Sequence, residues 1–138
     1  MRPSGYSGTP LGKKLGIKPD HIVWLSQAPE YLAPLLASEI EATYTTAPPP
    51  FADVILLFSA SKEDFTTRFP EAAKRLVRNG GLWVCWPKKS SGVSTDLTEN
   101  PIRDFGLGCG LVDNKVCAVD ETWSGLRFVI RVEDRSTS

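Results

Sequence analysis

The chain has 138 residues, the usual size of one domain, and such a chain buries about two-thirds of the surface its unfolded form exposes. Lysine plus arginine and aspartate plus glutamate stand at 16 each. No global field would therefore hold the protein on nucleic acid or an anionic membrane, and neither is expected as a partner. The three cysteines, Cys85, Cys109 and Cys117, are odd in number and lack CxxC spacing, which argues against a disulfide framework and a zinc site and points to the reducing cytoplasm.

The N-terminus has no apolar leader, and no apolar run approaches the roughly 18 residues a membrane span needs. Met1 to Gly5 reads as a flexible tail. Tyr6 to Pro10 presents a turn in which Thr9 caps, and Pro10 opens, a short helix that Gly16 ends. Lys18-Pro19-Asp20 is a turn and His21 to Ser26 the first strand. Pro29 opens a second helix with Leu32, Leu35, Leu36 and Ile40 on one face, where Pro34 forces a late start or a kink. Ala42 to Thr46 is a short edge strand, and Pro48-Pro49-Pro50 a stiff connector.

Ala52 to Ser59 is a nearly continuous apolar run of strand length, as expected for a strand buried on both faces of a parallel sheet. The next helix has Pro70 at its first position, an apolar stripe of Ala72, Ala73, Leu76 and Val77, Arg75 and Arg78 in its last turn, and Asn79-Gly80-Gly81 as its stop. Leu82 to Trp86 is a second buried strand, and a crossover this long predicts parallel pairing of right-handed connection. Lys88 to Ser94 is a polar loop. Asn100 and Pro101 read as the cap and first position of another helix, ending by Gly110 and weakened by Gly106 and Gly108. Leu111 to Val119 and Leu126 to Val132 form an antiparallel hairpin around Glu121 to Gly125, with Leu126, Phe128, Ile130 and Val132 facing a core. Residues 134 to 138 should be a second flexible tail, with fraying from Glu133.

The expected architecture is a single α/β domain: a three-layer Rossmann-like sandwich whose mostly parallel sheet of five to six strands carries a C-terminal antiparallel hairpin at one edge. This order resembles the class I methyltransferase variant of the Rossmann-like fold, whose last two strands form such a hairpin. After the first strand, however, stands Ser26-Gln27-Ala28-Pro29-Glu30, with no glycine to admit a cofactor close to the backbone, which speaks against conventional S-adenosylmethionine binding. The cofactor is otherwise open.

Three longer runs carry a second resemblance: Tyr6 to Leu11 with Lys14 to Ile17, Trp86 to Lys89 with Ser91 to Val93 and Thr95 to Thr98, and Gly110 to Arg127. Together they resemble a bacterial family known as domain of unknown function three-zero-five-two. The resemblance spans essentially the whole chain and implies bacterial origin, one domain and no assigned activity or catalytic residue.

Candidate sites follow from position. Lys88, Lys89, Ser90, Ser91 and Gly92 leave the carboxyl end of a buried parallel strand, where open α/β sheets bind ligands, and Thr95 and Asp96 follow. Two ammonium groups and hydroxyls there suit a phosphate or carboxylate; the plainer reading is a solvated loop. Asp113 with Lys115, and Asp120 with Glu121 and Trp123, flank one strand and its turn, so the two groups should lie at opposite ends of the sheet. For the second, the plain reading is a turn in which Asp120 accepts backbone N–H groups and Trp123 covers the sheet edge. Ser7 to Lys14 lacks the glycine, hydroxyl and strand of a phosphate loop, leaving helix-start N–H groups near Thr9 to Leu11 with Lys13 or Lys14 as a weaker anion site. Ser59 to Lys62 matches S-x-x-K, but Ser61 reads equally as an N-cap with Asp64 in the first turn. One histidine, His21, gives no metal site. The leading expectation is a small cytoplasmic protein that binds an anionic or nucleotide-like small molecule. The alternatives are a non-catalytic interaction module, with a protein partner or self-association, and a divergent transferase; no catalytic motif decides whether it is an enzyme.

Overall fold

The protein's structure, a computed structural model, describes residues 9 to 135; the lead Met1 to Gly5, the candidate Ser7 and residues 136 to 138 lie outside them. In chain order the elements are α1 (Leu11–Lys14), β1 (Ile22–Ser26), α2 (Leu32–Glu39), β2 (Thr43–Thr45), β3 (Ala52–Phe58), α3 (Lys62–Lys74), β4 (Leu76–Pro87), a 3-10 turn (Lys89–Ser91), α4 (Glu99–Gly108), β5 (Leu111–Ala118), β6 (Trp123–Ile130) and α5 (Val132–Arg135). One six-stranded sheet has the order β2-β1-β3-β4-β6-β5. Its first four members are parallel. β6 is antiparallel to both its neighbours, so it is inserted between β4 and β5, and β5 runs with the parallel set. This is the α/β architecture the sequence predicts.

The apolar runs work as expected, because alternate side chains of a strand leave opposite faces. Ile55, Leu57, Leu82, Val84, Leu126 and Phe128 face α3 and α4, meeting Phe65, Phe69, Ala72 and Ile102. Val54, Leu56, Phe58, Trp83 and Cys85 face α1 and α2, meeting Leu11, Leu15, Leu32 and Leu36. The indole N–H of Trp83 donates to Leu15 O at 3.0 Å, which ties α1 to the centre of the sheet.

Several boundaries differ. Pro10 occupies the cap of α1 and Thr9 precedes it, with no side-chain cap. Pro29 does not open α2; the late start at Leu32 accommodates Pro34 in the first turn, and Leu35 is exposed rather than core. Pro70 lies inside α3, which starts at Lys62 with the Ser61 hydroxyl accepting from Asp64 N. α3 also ends early, at Arg75, so Val77 and Arg78 belong to β4 and Asn79-Gly80-Gly81 is no stop. A Cβ on Gly80 would sit 2.5 Å from Asp53 O, and one on Gly81 would strike the Arg127 guanidinium; these glycines admit close neighbours within a strand. α4 is capped by Thr98, so Asn100 and Pro101 are its second and third residues. Gly106 lets α4 approach Phe128, whose ring a Cβ would overlap. In the hairpin, Trp123 to Gly125 belong to β6, which stops at Ile130, while Val132 is exposed in α5 and Glu133 to Arg135 are helical. β5 carries a bulge between Asp113 and Lys115, and the opposite edge, β2, is three residues long.

Candidate functional site

The carboxyl ends of the parallel strands form one rim of the sheet, with two sectors. In the first, the chain leaves β1 toward β2 on one side, while β3 lies on the other, the reversal of strand order outside which open sheets bind ligands. Arg68 of α3 reaches over this point. One guanidinium nitrogen donates to Phe58 O at 2.8 Å and to Asp64 Oδ2 at 2.6 Å, the other to Ser26 Oγ at 2.7 Å and Ser26 O at 3.3 Å. The Ser59 hydroxyl donates to the same Asp64 oxygen at 2.7 Å. Ser26 and Ser59 are buried, at 8% and 5% exposure, so polar groups drawn from β1, β3, α3 and the loop between the last two satisfy one another. Burial alone would raise the Asp64 carboxyl, but the hydrogen bonds from Ser59 and Arg68 and the guanidinium charge outweigh it and hold the pKa below the usual value. The turn beyond β1 contains Gln27 at φ +55°, a left-handed conformation normally left to glycine.

The second sector lies over β4, β6 and β5. Lys88 N donates to Thr122 O at 2.8 Å, joining the basic turn to the hairpin turn. Ser91 Oγ donates to Lys88 O at 2.6 Å, and Gly92 at φ +79° closes the turn. This leaves Lys89 and Ser90 exposed. Asp120 Oδ1 accepts from Thr122 N at 2.7 Å and Trp123 N at 2.8 Å, and the Trp123 ring meets Phe58 edge-on at 5.0 Å; the side chain of Asp120 is thus occupied in shaping the turn, beside exposed Glu121. The Lys14 ammonium donates to Ala118 O at 3.2 Å. Burial raises the pKa of Cys117, and the charges of Lys14, Lys115 and Lys88, which pull it down, do not overcome that. The thiol of Cys117 thus lacks the depressed pKa that activates a cysteine nucleophile.

Other candidates have structural work. Thr95 Oγ1 donates to Ala60 O at 2.6 Å and accepts from Leu97 N, while Asp96 accepts from Lys62 N at 2.6 Å; together they pin the loop to the start of α3. Asp113, in the part of β5 far from the hairpin turn, pairs with Arg103 at 2.8 Å. Thr9 stands before a helix of only four residues. His21 Nδ1 accepts from Lys18 N at 3.1 Å within its turn. The structure thus gathers Lys88, Lys89, Ser90, Asp120, Glu121 and Trp123 on one rim, adds Lys14, brings Lys115 within electrostatic reach of Cys117, and leaves Asp113 aside. Arg68 is the residue sequence reasoning missed; its helical spacing from Asp64 was the only available signal. Among the described residues, no cluster of histidine, cysteine, aspartate or glutamate could hold a metal, and no helix is long and apolar enough to cross a membrane.

No family model and no curated protein matches the sequence. Solved structures do match the fold. A ribosomal protein L11 methylase from Lactobacillus delbrueckii subsp. bulgaricus is 10% identical with a TM-score of 0.61, the match covering 88% of this chain and 75% of that one. The magnesium protoporphyrin IX methyltransferase of Synechocystis PCC 6803, solved with bound S-adenosylmethionine, is 11% identical at TM-score 0.59, covering 88% and 74%. A SAM-dependent methyltransferase from Aquifex aeolicus is 14% identical at TM-score 0.54, covering 86% and 87%. The chain has a methyltransferase-like, Rossmann-like fold. At the level of the fold, the missing glycine-rich turn is no ground for excluding S-adenosylmethionine.

Proposed function

We propose that the protein binds an anionic, nucleotide-like small molecule on the carboxyl rim over β4, β6 and β5, with Lys88, Lys89 and Ser90 as its main contacts. The observation that carries this reading is convergence: the Lys14 ammonium of α1 donates to Ala118 O at 3.2 Å and Lys88 N donates to Thr122 O at 2.8 Å, so α1 and the basic turn, remote in sequence, both meet the hairpin near its turn. Exposed Lys89 and Ser90 add donors beside them. Opposed lysines offer an anion several charge-assisted hydrogen bonds without demanding a single fixed geometry.

A transferase is the second reading, favoured by the shared fold. S-adenosylmethionine is the cofactor that fold brings to mind, and the ends of β1 and β3, where Arg68 donates to the carbonyls of Ser26 and Phe58 and pairs with Asp64, are the place it would meet. We also read the chain as bacterial and as akin to the family of unknown function, on the sequence runs quoted above.

The test is a thermal-shift panel of S-adenosylmethionine, S-adenosylhomocysteine, nicotinamide dinucleotides, nucleoside phosphates and coenzyme A, on wild type and the Lys88→Ala/Lys89→Ala double variant. A ligand at about a hundred times its dissociation constant adds about 2.7 kcal/mol, a shift of several degrees for a domain of this size. A shift seen in wild type and lost in the variant is expected. A shift that survives in the variant overturns the assignment to these lysines, and self-association with no shift at all transfers the reading to an interaction module.

A further inference from the structure

The proline run between β2 and β3 belongs to neither sector of the rim. Pro48, Pro49 and Pro50 are consecutive, and among the described residues no peptide bond is cis. A proline ring fixes φ at about −65° and a following proline holds ψ in the extended range, so sterics alone set Pro48 and Pro49 in the polyproline II conformation. The segment is also pinned by its neighbours. The Thr45 hydroxyl donates to Ala47 O at 3.0 Å and accepts from Ala47 N at 3.2 Å, and Ala52 N donates to Arg75 O at 2.8 Å. Between these ends the Arg75 guanidinium, which lies 5.9 Å from the centre of the Trp24 ring and pairs with Glu71, donates to Pro49 O at 2.5 Å. The rest of the run is open to solvent. Pro48, Pro50 and Phe51 are exposed, the last at 53%, and among the described residues no hydrogen bond reaches the carbonyls of Pro48 and Pro50.

We infer that this connector is a docking segment for a protein partner whose groove is walled by tryptophan and tyrosine rings, the kind of groove that takes polyproline II segments. Flat rings pack on pyrrolidine rings, and their indole N–H and phenol O–H groups donate to carbonyls that such a segment cannot pair internally. Both needs are met here, by two exposed prolines beside an exposed phenylalanine and by two carbonyls without a donor. The conformation is set before contact, so docking has little backbone to order. A partner that adds a strand is excluded, because three successive residues have no N–H to give. A nucleic acid would seek cations, and the run from Ala47 to Phe51 carries none. This inference is independent of the lysine site over β4, β6 and β5, and Lys88→Ala/Lys89→Ala should leave it intact.

The test is amide chemical-shift titration of the isotope-labelled whole protein with two unlabelled polyproline-binding modules, a Src-homology-three domain and a WW domain. At least one of them should shift the amides of Ala47, Phe51 and Ala52, and an oligoproline peptide should reverse those shifts. Pro48→Ala/Pro50→Ala and Phe51→Ala should each weaken binding about tenfold, the scale of truncating a central contact; these side chains are exposed, so the variants keep the fold. A free peptide of residues 45 to 53 should bind the same module about threefold more weakly than the folded protein, since nothing pins its ends. No shift with either module at millimolar concentration, shifts centred on other residues, or binding that both variants retain would overturn the inference. Shifts of the same amides given only by an unlabelled second copy of this chain would also overturn it, assigning the run to self-association.

Discussion

Two neighbouring stretches of the same rim solve the placement of charge in opposite ways. Over β1 and β3, one arginine, one aspartate and two serines close on each other and on the strand carbonyls, so the charge is spent internally. Over β4, β6 and β5, the aspartate serves the backbone of a turn, and the lysines carry their charge toward a half-buried thiol and solvent. The first arrangement is fit to hold two strands at the point where the chain reverses direction across the sheet. The second is fit to meet something from outside. Position at the carboxyl ends is common to both, so position alone does not distinguish a clamp from a binding surface.

The contrast can be broken most forcefully at Arg68. Arg68→Met removes the donor shared by Asp64, Ser26 and the Phe58 carbonyl, leaving Asp64 with the Ser59 hydroxyl and partial exposure to solvent, and should lower stability by about 1–3 kcal/mol in urea denaturation. A loss below about 1 kcal/mol would mean that the guanidinium is dispensable to the fold. In the other sector, Asp120→Ala removes an acceptor shared by two backbone N–H groups. It should lower stability by about 1 kcal/mol, the usual scale of a lost cap, seen as a smaller displacement of the same denaturation midpoint. The pH dependence of the melting temperature separates the sectors further. The folded pKa of Asp64 lies below its unfolded value, so the stability it contributes is present above pH about 4 and is lost as pH falls toward the folded pKa. Asp64→Asn should flatten that acid limb, and an unchanged limb would remove Asp64 from the account. The smallest effect is expected from Lys88→Ala/Lys89→Ala, within about 0.5 kcal/mol of wild type without ligand. A much larger loss would show these lysines to be structural, like Arg68.

The fold was legible where burial left a continuous signal. Val54 to Phe58 and Leu82 to Trp86 are strands because each side chain finds a core on one face or the other. Helix ends were less legible, because proline and glycine have more than one use. Pro70 resembles a first helical residue, yet α3 carries it internally, with the Thr66 and Thr67 hydroxyls both turned back to Glu63 O in the turns before it. Gly80 and Gly81 resemble a helix stop, yet they stand where a strand passes close to Asp53 O and to Arg127. At the rim, the role of Asp120 was readable because its acceptors' donors are two and three residues away. The Arg68 clamp was not, since Ser26 lies 42 residues from it in the chain and only folding brings them together.

The two borders of the sheet have a consequence for how molecules of this protein meet one another. At one border β2 offers a template only three residues long. At the other, β5 breaks step between Asp113 and Lys115, Arg127 donates to the Asn114 side chain there, and the Lys14 ammonium sits on the Ala118 carbonyl. A neighbouring chain therefore finds no long, evenly spaced ladder on which to lay a strand, and bulges and lysines at sheet margins are the devices by which proteins escape templated growth into fibrils. Crowded solutions of the folded protein should remain free of cross-β aggregates even though the interior of its sheet is rich in valine, leucine and isoleucine.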